Sequence, residues 1–291
     1  MVVQQESPAA PAAGAGRMEV AALWHGHLLP GGRRFPVIAD CNFALRPGEL
    51  TVMIGPSGCG KSTLARLLAG YGRPDEGRIR MDGRHVDGPG KDRLMVFQES
   101  ALFPWLTTRD NAEFGLRERR VLDGPARSRA AALLDRVGLG RFLAKYPAAL
   151  SGGMQRRLEM VRALVNDPAL FILDEPFRGL DAMTRTLMQE HFAGMFEEGR
   201  RTALFITSDI DEALLLADRI LVMTARPMRV AADLAVDIPR PRTLATLFED
   251  ERANGLRKAI MEMLYAEAAR SFGARAQSSD LAAAMHGTPR P

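Results

Sequence analysis

Nine residues, Gly55-Pro56-Ser57-Gly58-Cys59-Gly60-Lys61-Ser62-Thr63, constrain this chain more than any other stretch. The apolar run Leu50-Thr51-Val52-Met53-Ile54 leads into them and Leu64-Ala65-Arg66-Leu67-Leu68-Ala69-Gly70 follows, so they sit where a buried strand turns into a helix. A phosphate-binding loop requires that setting. The glycines let the backbone curl until successive N–H groups converge, and the helix N-terminus adds partial positive charge. Lys61 is then placed to reach the β- and γ-phosphates of a nucleotide, and the Ser62 hydroxyl to bind Mg²⁺.

The 291 residues suffice for one large domain or two small ones, and 46% hydrophobic content is ordinary for a globular core. Lysine and arginine number 39 against 35 acidic residues. That mild excess is spread along the chain rather than gathered in a run, so no nucleic-acid partner is expected. Two cysteines, Cys41 and Cys59, argue against a disulfide framework and for a reducing compartment. Residues 1–17 are rich in Ala, Pro and Gly, lack the basic start and apolar centre of a signal peptide, and read as a loose tail. No apolar stretch approaches the roughly 20 residues that span a bilayer, so work at a membrane would need another chain for the span.

Alternation over Val20, Ala22 and Trp24 predicts a half-buried strand, with a second strand from Phe43. Arg78-Ile79-Arg80-Met81 and Leu94-Met95-Val96-Phe97 follow as strands, the latter delivering Gln98 to its C-terminal end, where ligand-facing residues of an α/β sheet lie. From about 99 to 167 the pattern is mainly helical (108–119, 125–137, 152–166), an insertion within an α/β core. Strands at 170–173, 202–207 and 219–223 alternate with helices at 181–197 and 210–217, as in a mostly parallel sheet. A helical stretch is expected over 244–272 and a loose tail beyond it.

Asp174 ends a buried strand, where a carboxylate is costly unless a cation or hydrogen bonds compensate it. With the phosphate loop upstream, Mg²⁺ shared with Ser62 is the natural partner, and Glu175 can orient or deprotonate an attacking water. Leu150-Ser151-Gly152-Gly153-Met154-Gln155 places a hydroxyl and two glycines at a helix start, a second anion-binding device.

In order and spacing, the loop at 55–63, Gln98, residues 150–155, the strand 170–176 and Asp181 resemble the Walker A loop, Q-loop, signature motif, Walker B strand and D-loop of ATP-binding-cassette (ABC) ATPases. The resemblance covers about 18–240. Residues 96–107 with Asn111, then Asp174-Glu175-Pro176-Phe177, look like the subgroup that energises nitrate, sulfonate and taurine importers. It implies a P-loop α/β fold with a RecA-like core, an antiparallel β subdomain and a helical subdomain, followed by a C-terminal extension over 241–291. It also implies ATP and Mg²⁺ as cofactors and two cassettes closing head to tail. Gly55, Pro56, Ser57, Gly58, Cys59, Gly60, Lys61, Ser62 and Thr63 would hold the phosphates in cis. Ser151, Gly152, Gly153 and Gln155 would approach from the partner cassette, with Asp181 at the contact. Gln98 would sense the metal and the water. Membrane permease subunits, and through them an external solute-binding protein, would be the partners at the cytoplasmic face of the inner membrane.

Three departures stand out. Such cassettes carry T-H-D-x-x-E-A after the strand that follows the D-loop, whereas Thr207-Ser208-Asp209-Ile210-Asp211-Glu212-Ala213 puts Ser208 in the histidine's place. A hydroxyl can bond a γ-phosphate but cannot carry an imidazolium's charge. Slowed hydrolysis, an ATP-gated switch with little catalysis, and a serine-compatible site with ordinary turnover all stay open. A soluble cassette acting away from transport usually has two cassettes or a long coiled coil, and neither is present. The residue that stacks on adenine is not fixed by the pattern, with Leu28 and Leu29 nearest and Trp24 and Phe35 to either side. Arg178 lies where the D-loop more often has a small residue, a change expected to alter the contact between cassettes. Cys59, at a helix N-terminus, is expected to favour its thiolate and to be shielded from alkylation by ATP.

Overall fold

In the computed structural model, residues 16–29, 32, 34–199 and 201–285 are described, with backbone alone from 271 onward. The expected tail lies outside them up to residue 15; Gly16 and Arg17 donate their N–H groups to the Asp82 carboxylate at 3.1 and 2.9 Å.

In chain order the elements are β1 (Met18–Leu28), β2 (Arg34–Leu45), β3 (Leu50–Ile54), α1 (Lys61–Ala69), β4 (Glu76–Met81), β5 (Arg84–His85) and β6 (Arg93–Val96). A helical lobe follows, with α2 (Thr108–Glu118), α3 (Gly124–Arg136) and α4 (Gly152–Asn166). The chain then runs through β7 (Leu170–Asp174), α5 (Ala182–Gly199), β8 (Thr202–Thr207), α6 (Ile210–Leu216), β9 (Arg219–Met223), β10 (Val230–Ala235), α7 (Leu244–Glu249) and α8 (Glu251–Met285).

Two sheets result. A four-stranded antiparallel sheet has the order β2-β1-β4-β5, and a six-stranded sheet the order β10-β9-β3-β8-β7-β6. Within the second, β9, β3, β8, β7 and β6 are parallel and only edge strand β10 runs antiparallel. Every residue of β3, β7, β8 and β9 is buried, which is why these strands read as continuous apolar runs. Alternate side chains of β3 point to opposite cores. Val52 and Ile54 pack with Phe192, Phe205 and Leu214, while Met53 joins Leu64 and Leu68 of α1 and Val37 and Ile38 of β2. The helical lobe has its own core, built on Ala112, Leu116, Leu134, Leu158 and Val161.

Three elements differ from expectation. The second strand starts at Arg34 rather than Phe43, and β10 was unforeseen; its exposure alternates along a run of small residues, Val230 to Ala235. The C-terminal helix is broken at Asp250, whose carboxylate accepts the N–H groups of Arg252 and Ala253 at 2.8 and 3.1 Å and so starts α8 afresh. That helix runs to Met285 instead of ending near Phe272.

Candidate active site

The phosphate loop leaves the C-terminal end of β3 and stands already curled. Gly58 and Gly60 have φ of 73° and 130°, which side-chain-bearing residues rarely adopt. A Cβ on Gly60 would lie 2.9 Å from Cγ1 of Val37, so β2 closes one side of the loop. Lys61, 6% exposed, donates its ammonium to the carbonyls of Gly55 and Pro56 at 2.8 and 3.0 Å. Its positive charge thus rests at the centre of the loop.

Parallel register brings the other groups to the same sheet end. Ile54 pairs with Thr207 and Asp174 with Ile206, so the loop, Asp174 and Ser208 leave three adjacent strands at one level. Asp174 is 3% exposed and its Oδ1 has no hydrogen-bond partner. Burial pushes its carboxyl above the ordinary range, opposed by a hydrogen bond with the Ser62 hydroxyl. A hard carboxylate left under-satisfied beside a hydroxyl and a phosphate loop suits a small divalent cation such as Mg²⁺.

Glu175 has φ of 45°, and its N–H donates to the carbonyl of Ile206 at 2.9 Å, turning the chain sharply at the strand end. Its carboxylate accepts a hydrogen bond from Arg178 at 3.0 Å. Both line a cavity of about 490 Å³ with Ser57, Arg185, Thr207 and Ser208. Ser208 is the exposed link between β8 and the Asp209 cap of α6, whose carboxylate accepts the N–H groups of Asp211 and Glu212. Glu212, buried behind, accepts from Gln189 at 2.8 Å, and burial pushes its carboxyl upward.

The remaining expected residues lie elsewhere. Gln98 is exposed just past β6, and none of Gln98, Ser151, Gly152, Gly153, Gln155 or Asp181 is among the residues lining that cavity. Ser151 caps α4 by accepting the Met154 N–H at 3.3 Å. A Cβ on Gly153 would come within 3.2 Å of Thr184 at the start of α5. Asp181 caps that helix, accepting the Thr184 N–H at 3.0 Å, and this bond holds its carboxyl below the usual range. Gln155 differs from expectation: its amide turns inward and donates to the carbonyls of Pro147 and Leu150 at 2.9 and 3.3 Å. Its N–H₂ group therefore braces the turn ahead of the signature helix.

Cys59 also differs. It is 2% exposed with its sulfur 3.7 Å from that of Met228, and desolvation raises its thiol, outweighing the opposite pull of Lys61. The expected thiolate is reversed by packing.

Sequence reading missed Arg156. Buried at 6% exposure, it bonds Glu159 at 2.5 Å, donates to the carbonyls of Gln98 and Glu175 at 3.3 Å each, and also bonds the carbonyl of Pro176. One side chain of the signature helix thus ties the Q-loop to the backbone of Glu175. An arginine three residues past the glycines was a faint signal, because its partners are mostly backbone carbonyls that sequence does not mark.

Known proteins resemble this chain in sequence and in fold. Residues 38–178 match the family described as ABC transporter. The taurine import ATP-binding protein TauB of Pseudomonas aeruginosa is 40% identical over 235 residues, covering 79% of this chain and 89% of that protein. The nitrate import ATP-binding protein NrtC of Synechococcus elongatus is 41% identical over 241 residues, covering 81% of this chain and 36% of that larger protein. Among solved structures, the dimeric post-hydrolysis state of the ATP-binding cassette MJ0796 with ADP and Pi superposes with a TM-score of 0.67 at 27% identity, over 76% of this chain and all of that one. Sequence and fold agree, and the chain belongs to the ABC transporter family as one of its ATP-hydrolysing nucleotide-binding cassettes.

Proposed function

We propose that this cassette drives an importer for a small oxyanion or sulfonate, of the nitrate and taurine kind, by closing in pairs on ATP beneath two membrane permease subunits. The observation that carries the site assignment is the buried, unpartnered Oδ1 of Asp174 beside Ser62 and the preformed loop. Lys61 and the backbone N–H groups of residues 57–63 bind the phosphates. Ser62, Asp174 and Gln98 would hold Mg²⁺, which would supply positive charge against the negative charge of the phosphates. Glu175 takes a proton from the attacking water, and Ser208 donates a hydrogen bond to the γ-phosphate.

Ser151, Gly152 and Gly153 present a helix N-terminus to the nucleotide of the partner cassette, which fits their exposure and their position outside the cavity of their own chain. Phe35, exposed beneath the Arg226 guanidinium at 5.4 Å, is the aromatic nearest in chemistry to a base platform, since Arg226 also bonds the Gly58 carbonyl in the loop. Among the described residues no helix is long and apolar enough to cross a membrane. In this reading the permease subunits carry the span, and the solute-recognising protein lies beyond them.

Steady-state hydrolysis of Mg-ATP by the chain and its Glu175→Gln variant tests this reading. Wild type should turn over while Glu175→Gln falls by about a hundredfold or more, the range expected for loss of a general base. The variant should also elute as a dimer with ATP and as a monomer without it. A Glu175→Gln variant as active as wild type would remove Glu175 from the chemistry.

A further inference from the structure

The base proposed above needs a group to hold it, and the cavity shows which one is there. The turn at 175–178 is closed by the Arg178 N–H donating to the Glu175 carbonyl at 3.1 Å, which puts the two side chains on the same side. The backbone of Glu175 is fixed as well, its N–H on Ile206 and its carbonyl also on Arg156. Only side-chain torsions remain free, and Nη1 of Arg178 meets Oε2 of Glu175 at 3.0 Å.

Among the described residues Arg178 is the cation bonded to the Glu175 carboxylate. Lys61 is folded onto its own loop and Arg156 onto Glu159 and carbonyls, while Arg185, also on the cavity, donates to the Leu180 carbonyl and faces Glu212, with its buried Nε unpartnered. Asp174 and Asp209 carry the opposite sign. Ser208, across the cavity, offers a hydroxyl without charge.

We propose that Arg178 is a positioning residue for hydrolysis: its guanidinium aims the Glu175 carboxylate into the cavity and supplies a fixed positive charge to the cavity that it lines together with Ser208. The contact engages Oε2, which leaves Oε1 to accept the proton as the water oxygen bonds the γ-phosphorus, the bond to the β-phosphate oxygen breaks, and ADP departs with that electron pair. Stability does not explain the pair. The Arg178 side chain is 63% exposed, and a pair so open to water adds little to folding. An arginine, unlike a histidine, also keeps its charge at every working pH.

This inference rests on Glu175 being the base, and the test separates the two. In the full chain, kcat and KM for ATP are measured for wild type, Arg178→Ala, Arg178→Lys and Glu175→Gln, together with ATP-dependent dimerisation of Glu175→Gln with and without Arg178→Ala. Arg178→Ala should lower kcat by about tenfold with KM within about twofold, the pattern of a group acting on the chemical step. Arg178→Lys should recover most of the rate, melting temperatures should stay together, and dimerisation should be unaffected. Arg178→Ala at wild-type kcat beside an inert Glu175→Gln overturns the role of Arg178 alone. Lost dimerisation overturns it as well, assigning Arg178 to the contact between cassettes. An active Glu175→Gln takes down both readings.

Discussion

Asp174 shows at the scale of one residue what the proposed metal site costs the fold. Burial raises its proton affinity, so between the ordinary carboxylate pKa and the raised value the folded chain binds more protons than the unfolded one. Stability therefore falls as pH rises through that window, and above it the buried charge is a net burden on the fold. Asp174→Asn should raise the melting temperature of the nucleotide-free chain by a few degrees, the shift that about 1 kcal/mol produces in a domain of this size. The same variant should lose the Mg²⁺ dependence of ATP affinity, measured by fluorescent nucleotide titration. Groups fixed by local backbone were legible in the sequence at this scale: the loop glycines, Lys61, and the strand-end position of Asp174. Cys59 was not, because Met228, 169 positions away, buries it and reverses the sign expected from the helix terminus. Gln155 escaped for a similar reason, its amide being claimed by carbonyls of the preceding turn.

Among elements, α4 is the one that joins the lobes, and Arg156 is its fastening. With Arg156 and Glu159 only 7% and 3% exposed, removal of one partner leaves the other as an uncompensated buried charge. Arg156→Ala should destabilise the chain by about 3–5 kcal/mol in denaturant titration, and Arg156→Met with Glu159→Leu should recover much of that loss. The single change should also lower ATP turnover out of proportion to its effect on nucleotide affinity, since Gln98 and Glu175 lose a shared anchor. Strands such as β3 and β7 were legible because burial on both faces leaves a continuous apolar run. The first part of β2 was not, since Arg34, Phe35 and Pro36 at its start are exposed, and β10 was hidden by its small residues and edge position. The break between α7 and α8 leaves the apolar periodicity intact and is visible only in the bonds to Asp250.

At the scale of the whole molecule, residues 244–260 are part of the cassette's core rather than an appendage. Leu247, Ala253 and Ile260 pack in the same cluster as Val52, Phe205 and Leu214, and buried Arg242 donates to the carbonyls of Leu214 and Ala217 at the end of α6. Ile260→Ala should therefore cost about 2–5 kcal/mol and lower one cooperative transition, with circular dichroism and tryptophan fluorescence moving together. Separate transitions would mean that the extension folds alone. The sheet order carries a further consequence, for the nascent chain. Strand β3, which ends in the phosphate loop, is flanked by β8 and β9, whose residues begin at 202 and 219. At about 5–20 residues per second, the ribosome leaves β3 without either neighbour for roughly 7–30 seconds. Throughout that interval the strand is a bare apolar segment with both edges open, so the most ligand-ready part of the finished protein is among the parts most dependent on chaperones during synthesis.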